Sequence, residues 1–498
     1  MKSRQSWAEL YAFEVDRAAD APVFRQIYLR LRSAILSGTL RPGTKLPSTR
    51  ELAVQLGVSR SAAVEAFEQL RAEGYASGRK GAGTYIASDL PEPFAAAHGR
   101  KIPGARKRPV SAAKTAASTA AASPDLGGLV DVTTQSDERP FNLGRTLVDA
   151  RTAELWRKLS ARSLRSFGRH HLGYGDPHGL LELRKSVCDY LQAARAVRCE
   201  PEQVIITAGT QQAVDIVTRV MQGPDREVWI EDPGYALTRL ALVASGATVR
   251  PIPVDQYGID VAEGIRRAPK ARAVFITPSH QFPKGVVLSM ARRLELLAWA
   301  RERGAWIVED DYASEFRYGG RPLASLQGLD DAERVIYIGT LNKALFPGLR
   351  LGYAVVPASL VRAFVTARYL MDRQPSSLCQ EVVAAFMQEG HFAAHLRRMR
   401  ELYRGQRDAL VAALRRRLGD HVIVDPPDQG MHLVAYMRRG LSDVTIARAA
   451  DEHGVIVRAM SRLYVEAPAQ SALMLGFSGY PRQIIAPAIV RLARAFER

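Results

Sequence analysis

Lys343 lies in the peptide Gly-Thr-Leu-Asn-Lys-Ala-Leu-Phe-Pro-Gly-Leu-Arg-Leu-Gly-Tyr, with Thr340 before it and Arg350 after it. An amine that attacks an aldehyde needs a depressed pKa, and it must stand beside groups that hold the aldehyde's carrier in place. A hydroxyl and a guanidinium are natural partners for a phosphate dianion, the guanidinium through a bidentate bond. Other peptides add to this set. Ala208-Gly209-Thr210-Gln211-Gln212 follows an apolar strand and precedes a helical pattern. Its backbone N–H groups and the positive end of the helix would dock a phosphate. Asp-Pro-Gly-Tyr puts Tyr235 just beyond a strand end, where an aromatic ring can stack on a pyridine. Trp-Ile-Val-Glu-Asp-Asp-Tyr closes another strand with Asp310 and Tyr312. A carboxylate paired with a pyridine nitrogen keeps it protonated and makes the ring an electron sink. The tyrosine hydroxyl can meet the ring's phenolate oxygen.

These peptides need a scaffold that brings strand ends together. From residue 139 to 498, helical stretches alternate with short apolar runs: Val-Ile-Ile-Thr-Ala, Glu-Val-Trp-Ile-Glu, Ala-Val-Phe-Ile-Thr-Pro, Trp-Ile-Val-Glu-Asp-Asp and Val-Ile-Tyr-Ile-Gly-Thr. Strands spaced by helices predict an α/β domain with a mainly parallel sheet covered on both faces. Residues 88–138 are rich in Ala, Ser, Pro, Lys and Arg and lack apolar periodicity. Too little apolar area exists there to offset chain ordering, so a flexible linker is expected.

Residues 20–87 predict short amphipathic helices followed by a hairpin. Phe24, Ile27, Leu31 and Ile35 fall at helical spacing, and Gly38 and Gly43 end that helix. Ser48 precedes Glu51 at capping-box spacing, with Leu52, Ala53 and Leu56 as the buried face. Gly57 permits a tight turn. Ser59 caps the next helix, whose Val64, Phe67 and Leu70 point inward. Two short helices joined by a glycine turn form a helix-turn-helix, which presents the start of its second helix to the major groove. Arg60 and Ser61 stand at that start, Arg50 is placed to meet the DNA backbone, and Ser59 can reach a phosphate or a base. In the hairpin, Gly81 and Gly83 permit close approach to a groove, and Arg79 and Lys80 add charge at the tip.

The first region resembles the GntR family of winged helix-turn-helix regulators through Leu-Pro-Ser-x-Arg-Glu-Leu-Ala, Gly-Val-Ser-Arg and Gly-x-Gly-Thr, in that order. The third resembles fold-type I pyridoxal-phosphate enzymes of the aspartate aminotransferase group. Joined, they resemble the MocR regulators. This resemblance implies pyridoxal 5′-phosphate (PLP) as cofactor, with Lys343 as the Schiff-base lysine and Asp310 as the pyridine-nitrogen partner. It puts Tyr312 at the 3′ oxygen, Tyr235 at the ring, and Gly209, Thr210, Gln211, Thr340 and Arg350 around the phosphate. It also implies a homodimer in which Tyr174 of His-Leu-Gly-Tyr-Gly-Asp-Pro-His-Gly reaches the partner subunit's site.

The chain departs from the enzymes in two places. Where aminotransferases carry Asn-Pro-x-Gly, it reads Gln-Phe-Pro-Lys-Gly, so Phe282 replaces the asparagine. Near the C-terminus, Met474 takes the place of the arginine that clamps a substrate carboxylate. Arg239, Arg458 and Arg462 are the candidates to hold an effector in its stead. A PLP-binding sensor of the cofactor or of an amino-acid-like amine is therefore expected, with at most partial transamination. The alternative is an active aminotransferase with an accessory DNA-binding head.

The formal net charge of +18 favours a polyanion such as double-stranded promoter DNA as partner. No long uncharged apolar run and no leader-like N-terminus occur, so a membrane role is not expected and a cytoplasmic location is. Cys188, Cys199 and Cys379 are scattered and have no His cluster beside them, which excludes a disulfide framework and predicts no metal site.

Overall fold

The computed structural model describes residues 15–16, 21–79, 83–88, 137–221, 226–319, 323–438 and 440–497. It divides into two compact units, Met1–Ala117 and Ser118–Arg498. The segment expected to be a linker lies almost wholly outside the described residues.

In the first unit, α1 (Val23–Leu36), α2 (Thr49–Gln55) and α3 (Arg60–Ala72) precede an antiparallel pair, β1 (Ala76–Arg79) and β2 (Gly83–Ile86). The Ser48 hydroxyl accepts from the Glu51 N–H at 3.1 Å and starts α2; the Ser59 hydroxyl accepts from the Ala62 N–H at 3.3 Å and starts α3. Each cap satisfies a donor the helix cannot, worth about 1 kcal/mol. Ile27, Leu31, Ile35, Leu52, Ala53, Phe67 and Leu70 form the core. The buried face of α3 runs through Ala63 and Ala66 rather than Val64, which is half-buried at its margin, as is Phe24 on α1. Small residues there let the crossing helices approach closely.

The second unit carries an eight-stranded sheet in the order β3–β10–β9–β8–β7–β4–β5–β6. Its members are β3 (Val204–Thr207), β4 (Glu227–Asp232), β5 (Thr248–Asp255), β6 (Gly258–Ile259), β7 (Ala273–Ile276), β8 (Trp306–Asp311), β9 (Val335–Thr340) and β10 (Gly352–Val355). β5, β4, β7, β8 and β9 run parallel, and β10 is antiparallel to both its neighbours. Every apolar run read from the sequence forms one of these strands. The two faces are covered as expected. One buries Trp229, Val274 and Ile307; the other buries Ile230, Phe275 and Val308 under the helix α4 (Thr210–Val220).

A smaller antiparallel sheet, β11 (Val422–Val424), β12 (His432–Met437), β14 (Ala472–Gly476) and β13 (Arg458–Ala459), packs in a cluster shared with a long helix, α5 (His391–Leu418). The sequence reading did not resolve this sheet, because its strands are short and two of them lie among helical patterns. Cys188 and Cys199 are buried free thiols, the Cys199 thiol donating to the Cys188 sulfur at 3.4 Å; Cys379 is half-buried. Among the described residues no helix is long and apolar enough to cross a membrane, and no group of His, Cys, Asp and Glu could hold a metal ion.

Candidate functional site

Parallel strands leave their carboxyl ends on one edge of the sheet, and ligands of such sheets bind in the crevice outside those ends. β4 ends ahead of Tyr235, β8 ends in Asp310 and Asp311 ahead of Tyr312, and β9 ends in Thr340 ahead of Lys343. A pocket at this edge is lined by Ile230, Glu231, Gly234, Tyr235, Phe275, Thr277, Val308 and Asp310.

Lys343 follows β9 in a short helical turn, and the Thr340 hydroxyl accepts from the Asn342 N–H at 3.2 Å. Its ammonium donates to the Gly144 carbonyl at 3.2 Å, and burial lowers its pKa to about 8. A weakly acidic ammonium of this kind yields a free amine near neutral pH. Gly144 is itself part of the site: its φ is +77°, and a Cβ there would stand 2.5 Å from the Lys343 Nζ.

Opposite, one carboxylate oxygen of Asp310 and the hydroxyl of Tyr312 are buried without any hydrogen-bond partner. Burial, reinforced by Asp311 and Glu231, pushes the Asp310 carboxyl up to about 8. Burial also raises the Tyr312 hydroxyl well above its ordinary value, with Asp310 adding to it. Orphaned buried polar atoms cost about 1–3 kcal/mol each, so two of them at the end of one strand, one lining the cavity, indicate a missing polar ligand. A flat ring with a protonated nitrogen at one edge and an oxyanion near the other matches both.

The third part is an anion cradle. Gly209 caps α4 with φ +116°, and a Cβ there would meet Asn342 Nδ2 at 2.7 Å and Arg350 at 3.9 Å. Glycine therefore lets the helix start, Asn342 and the Arg350 guanidinium converge. Asn342 is fixed by the Leu351 N–H, which donates to its Oδ1 at 2.8 Å. Thr210 opens α4, whereas Gln211 is exposed with its amide only 3.5 Å from the Leu237 carbonyl. The neighbouring Gln212 ties the loop instead, accepting from the Ala208 N–H at 2.7 Å. These residues fit a phosphorylated heteroaromatic aldehyde such as PLP.

Tyr235 packs edge-on against Phe282 at 5.4 Å between centroids. Phe282 also stands near Tyr312 and His432, and it shares an apolar cluster with Leu143, Val434, Met460 and Met474. Met474 is buried, and Arg458 lies directly opposite it across the β13–β14 pair. Arg462 is exposed just beyond, and Arg239 stands one helical turn after Tyr235. Tyr174 is 80% exposed, with the Arg373 guanidinium 4.3 Å above its ring.

In the first unit, Arg50, Ser59, Arg60 and Ser61 are all exposed on the two helix starts, with Ser59 and Ser61 hydroxyls 3.0 Å apart. Lys80 and Gly81 lie outside the described residues. Lys45, which the sequence reading passed over, is exposed beside the hairpin, its side chain 3.1 Å from the Cβ position of Gly83 and its ammonium 5.9 Å from the Tyr85 ring. The antiparallel bridge of Lys45 to Tyr85 of β2 reveals it.

Residues 24–86 match the family of bacterial regulatory proteins of the gntR type, and residues 141–486 match aminotransferase class I and II. Over 482 residues the chain is 39% identical to the probable rhizopine catabolism regulatory protein MocR of Rhizobium meliloti, covering 97% of this chain and 95% of that one. The chain belongs to the MocR-type GntR regulators. The HTH-type pyridoxine biosynthesis transcriptional regulator PdxR of Corynebacterium glutamicum is 30% identical over 94% of this chain and 95% of its own. Among solved structures, the α-aminoadipate aminotransferase LysN of Thermus thermophilus, complexed with N-(5′-phosphopyridoxyl)-L-leucine, superposes with a TM-score of 0.68 at 29% identity. It covers 74% of this chain and 94% of LysN. This MocR-type regulator thus unites a DNA-binding head of the gntR kind with a fold-type I aminotransferase body.

Proposed function

We propose that this MocR-type regulator holds PLP on Lys343 and conveys the state of that site, through its head, to a double-stranded promoter. Bound there, PLP supplies an aldehyde that joins to amines and a ring that withdraws electrons. Asp310 holds a proton at the ring nitrogen and Tyr312 donates to the ring oxygen. Tyr235 covers the ring, while Gly209, Thr210, Gln211, Thr340 and Arg350 hold the phosphate. Tyr174 serves the partner subunit's site in a homodimer, in keeping with its exposure. The head comprises residues 20–87, a linker residues 88–138 and the body residues 139–498; the protein works in the cytoplasm.

Arg50, Ser59, Arg60, Ser61, Lys80 and Gly81 contact DNA, with Arg60 reading a base edge and the others fixing register. The effector is free PLP or an amino-acid-like amine, with Arg239, Arg458 and Arg462 as candidates for its acidic group. The buried Met474 and the half-buried Phe282 argue for a sensor, not a full transaminase, because neither can bond a substrate carboxylate or the ring oxygen.

One observation carries the cofactor reading: the unpartnered Asp310 oxygen and Tyr312 hydroxyl, at the same strand ends as a buried Lys343 amine. Borohydride reduction of PLP-treated protein followed by peptide mass analysis tests it. A phosphopyridoxyl mass on Lys343 is expected; labelling confined to other lysines would refute the assignment.

A further inference from the structure

Glu231 takes no part in the site as assigned, yet it is buried at the end of β4 and lines the same pocket as Asp310. One of its carboxylate oxygens accepts twice from Thr277, from the backbone N–H at 3.1 Å and from the hydroxyl at 2.7 Å. Thr277 follows β7, the strand between β4 and β8. The hydroxyl has a single hydrogen, and Glu231 receives it. Its lone pair is therefore turned to the Phe282 N–H, which donates to it at 3.0 Å. Gln281 completes the arrangement by donating its amide to the Pro233 carbonyl at 2.8 Å and the Phe282 carbonyl at 2.6 Å. A continuous hydrogen-bonded path thus runs from a buried carboxylate beside Asp310 to the backbone of the residue whose ring packs against Tyr235 and stands near Tyr312.

The path has a direction. A hydrogen bond to an ionised acceptor is about twice as strong as one to a neutral acceptor. A cation at Asp310 favours ionised Glu231, and ionised Glu231 grips Thr277 and orients it toward Phe282. The titratable groups that face Glu231 are Asp310 and Tyr312, an acid and a hydroxyl, so a positive charge arriving at Asp310 is unopposed. We propose that Glu231 and Thr277 are positioning residues that fix Phe282 over the cofactor site in response to charge at Asp310. This rests on the assignment of PLP to Lys343.

The test uses full-length protein carrying Thr277→Val, Thr277→Ser or Glu231→Gln, titrated with PLP and followed by its visible absorption as a function of pH. Thr277→Val keeps shape and loses the hydroxyl, so its Kd for PLP should rise about tenfold, the loss of roughly one hydrogen bond. Thr277→Ser should restore it. Glu231→Gln removes the negative charge, so the pH midpoint of the visible band should move down relative to wild type. Equal Kd values for Thr277→Val and Thr277→Ser, or a Glu231→Gln midpoint identical to wild type, would overturn the inference. A wild-type protein with no visible band overturns the cofactor assignment and this inference together; a normal wild type with silent variants overturns this inference alone.

Discussion

In the head, four of the six residues proposed to meet DNA occur within one short stretch from Arg50 to Ser61, carried by two helices whose starts are fixed by their own serines. In the body, the residues around Lys343 come from Gly144, Gly209, Tyr235, Glu231, Asp310 and Arg350, brought together only by the order of strands in the sheet. The first surface is built by local rules: a cap, a turn glycine and an apolar stripe. The second is built by topology, from short peptides that lie far apart in the sequence. Local sites tolerate changes elsewhere in the fold, whereas an assembled site couples each residue to several others. That coupling is what a sensor needs and a reading head does not.

The two regions should therefore break independently. The largest separable effect is expected from Asp310→Asn. Removing the carboxylate that holds the ring-nitrogen proton should weaken PLP retention by about a hundredfold, on the order of 3 kcal/mol for a charged hydrogen bond. The same change should stabilise the ligand-free protein above neutral pH. An acid whose folded pKa is raised to about 8 contributes stability below its unfolded pKa and loses it as pH rises through 8, and asparagine has no such loss. Thermal melting at two pH values, beside absorbance titration, checks both; operator affinity of the ligand-free protein should not change.

Arg60→Ala is the reciprocal. It should cost about 1–3 kcal/mol in operator binding, roughly tenfold to a hundredfold, and relax specificity at one base position. Fluorescence anisotropy with labelled operator reads this, and the PLP spectrum serves as control. A changed spectrum would show the head and body to be less separate than their construction suggests.

A smaller effect concerns pH. Burial lowers the Lys343 ammonium to about 8, so the free amine is the minor form at pH 7 and dominant above 8. The rate at which ligand-free protein takes up PLP should climb about tenfold per pH unit below that value and level off above it. Stopped-flow absorbance provides the profile; a midpoint near 10 would place the amine in a solvated setting.

What could be read from the sequence follows the same division. The helix-turn-helix was legible because Ser48, Gly57 and Ser59 act through bonds a few residues long. Lys343, Asp310 and Tyr312 were legible because each follows a strong apolar strand, so their place at a strand end needed no knowledge of neighbours. Gly144, Asn342, Glu231 and Thr277 were not. Gly144 belongs to no regular element, and its contact with the Lys343 amine spans most of the body. Glu231 reads as an ordinary charged residue until β7 is placed beside β4. Gln212, which the sequence reading assigned no role, ties the same loop by accepting from the Ala208 N–H.

The central claim is that occupancy of one amine in the body is felt at the head. Its most direct test is to titrate PLP, with and without candidate amines, into wild-type and Lys343→Ala protein while recording anisotropy of labelled promoter DNA from the region upstream of the gene. The account predicts a shift in DNA affinity for wild type that tracks the visible absorption, and none for Lys343→Ala, which should still bind DNA. An identical shift in both proteins, or a wild type that takes up PLP with no change at the promoter, would contradict it.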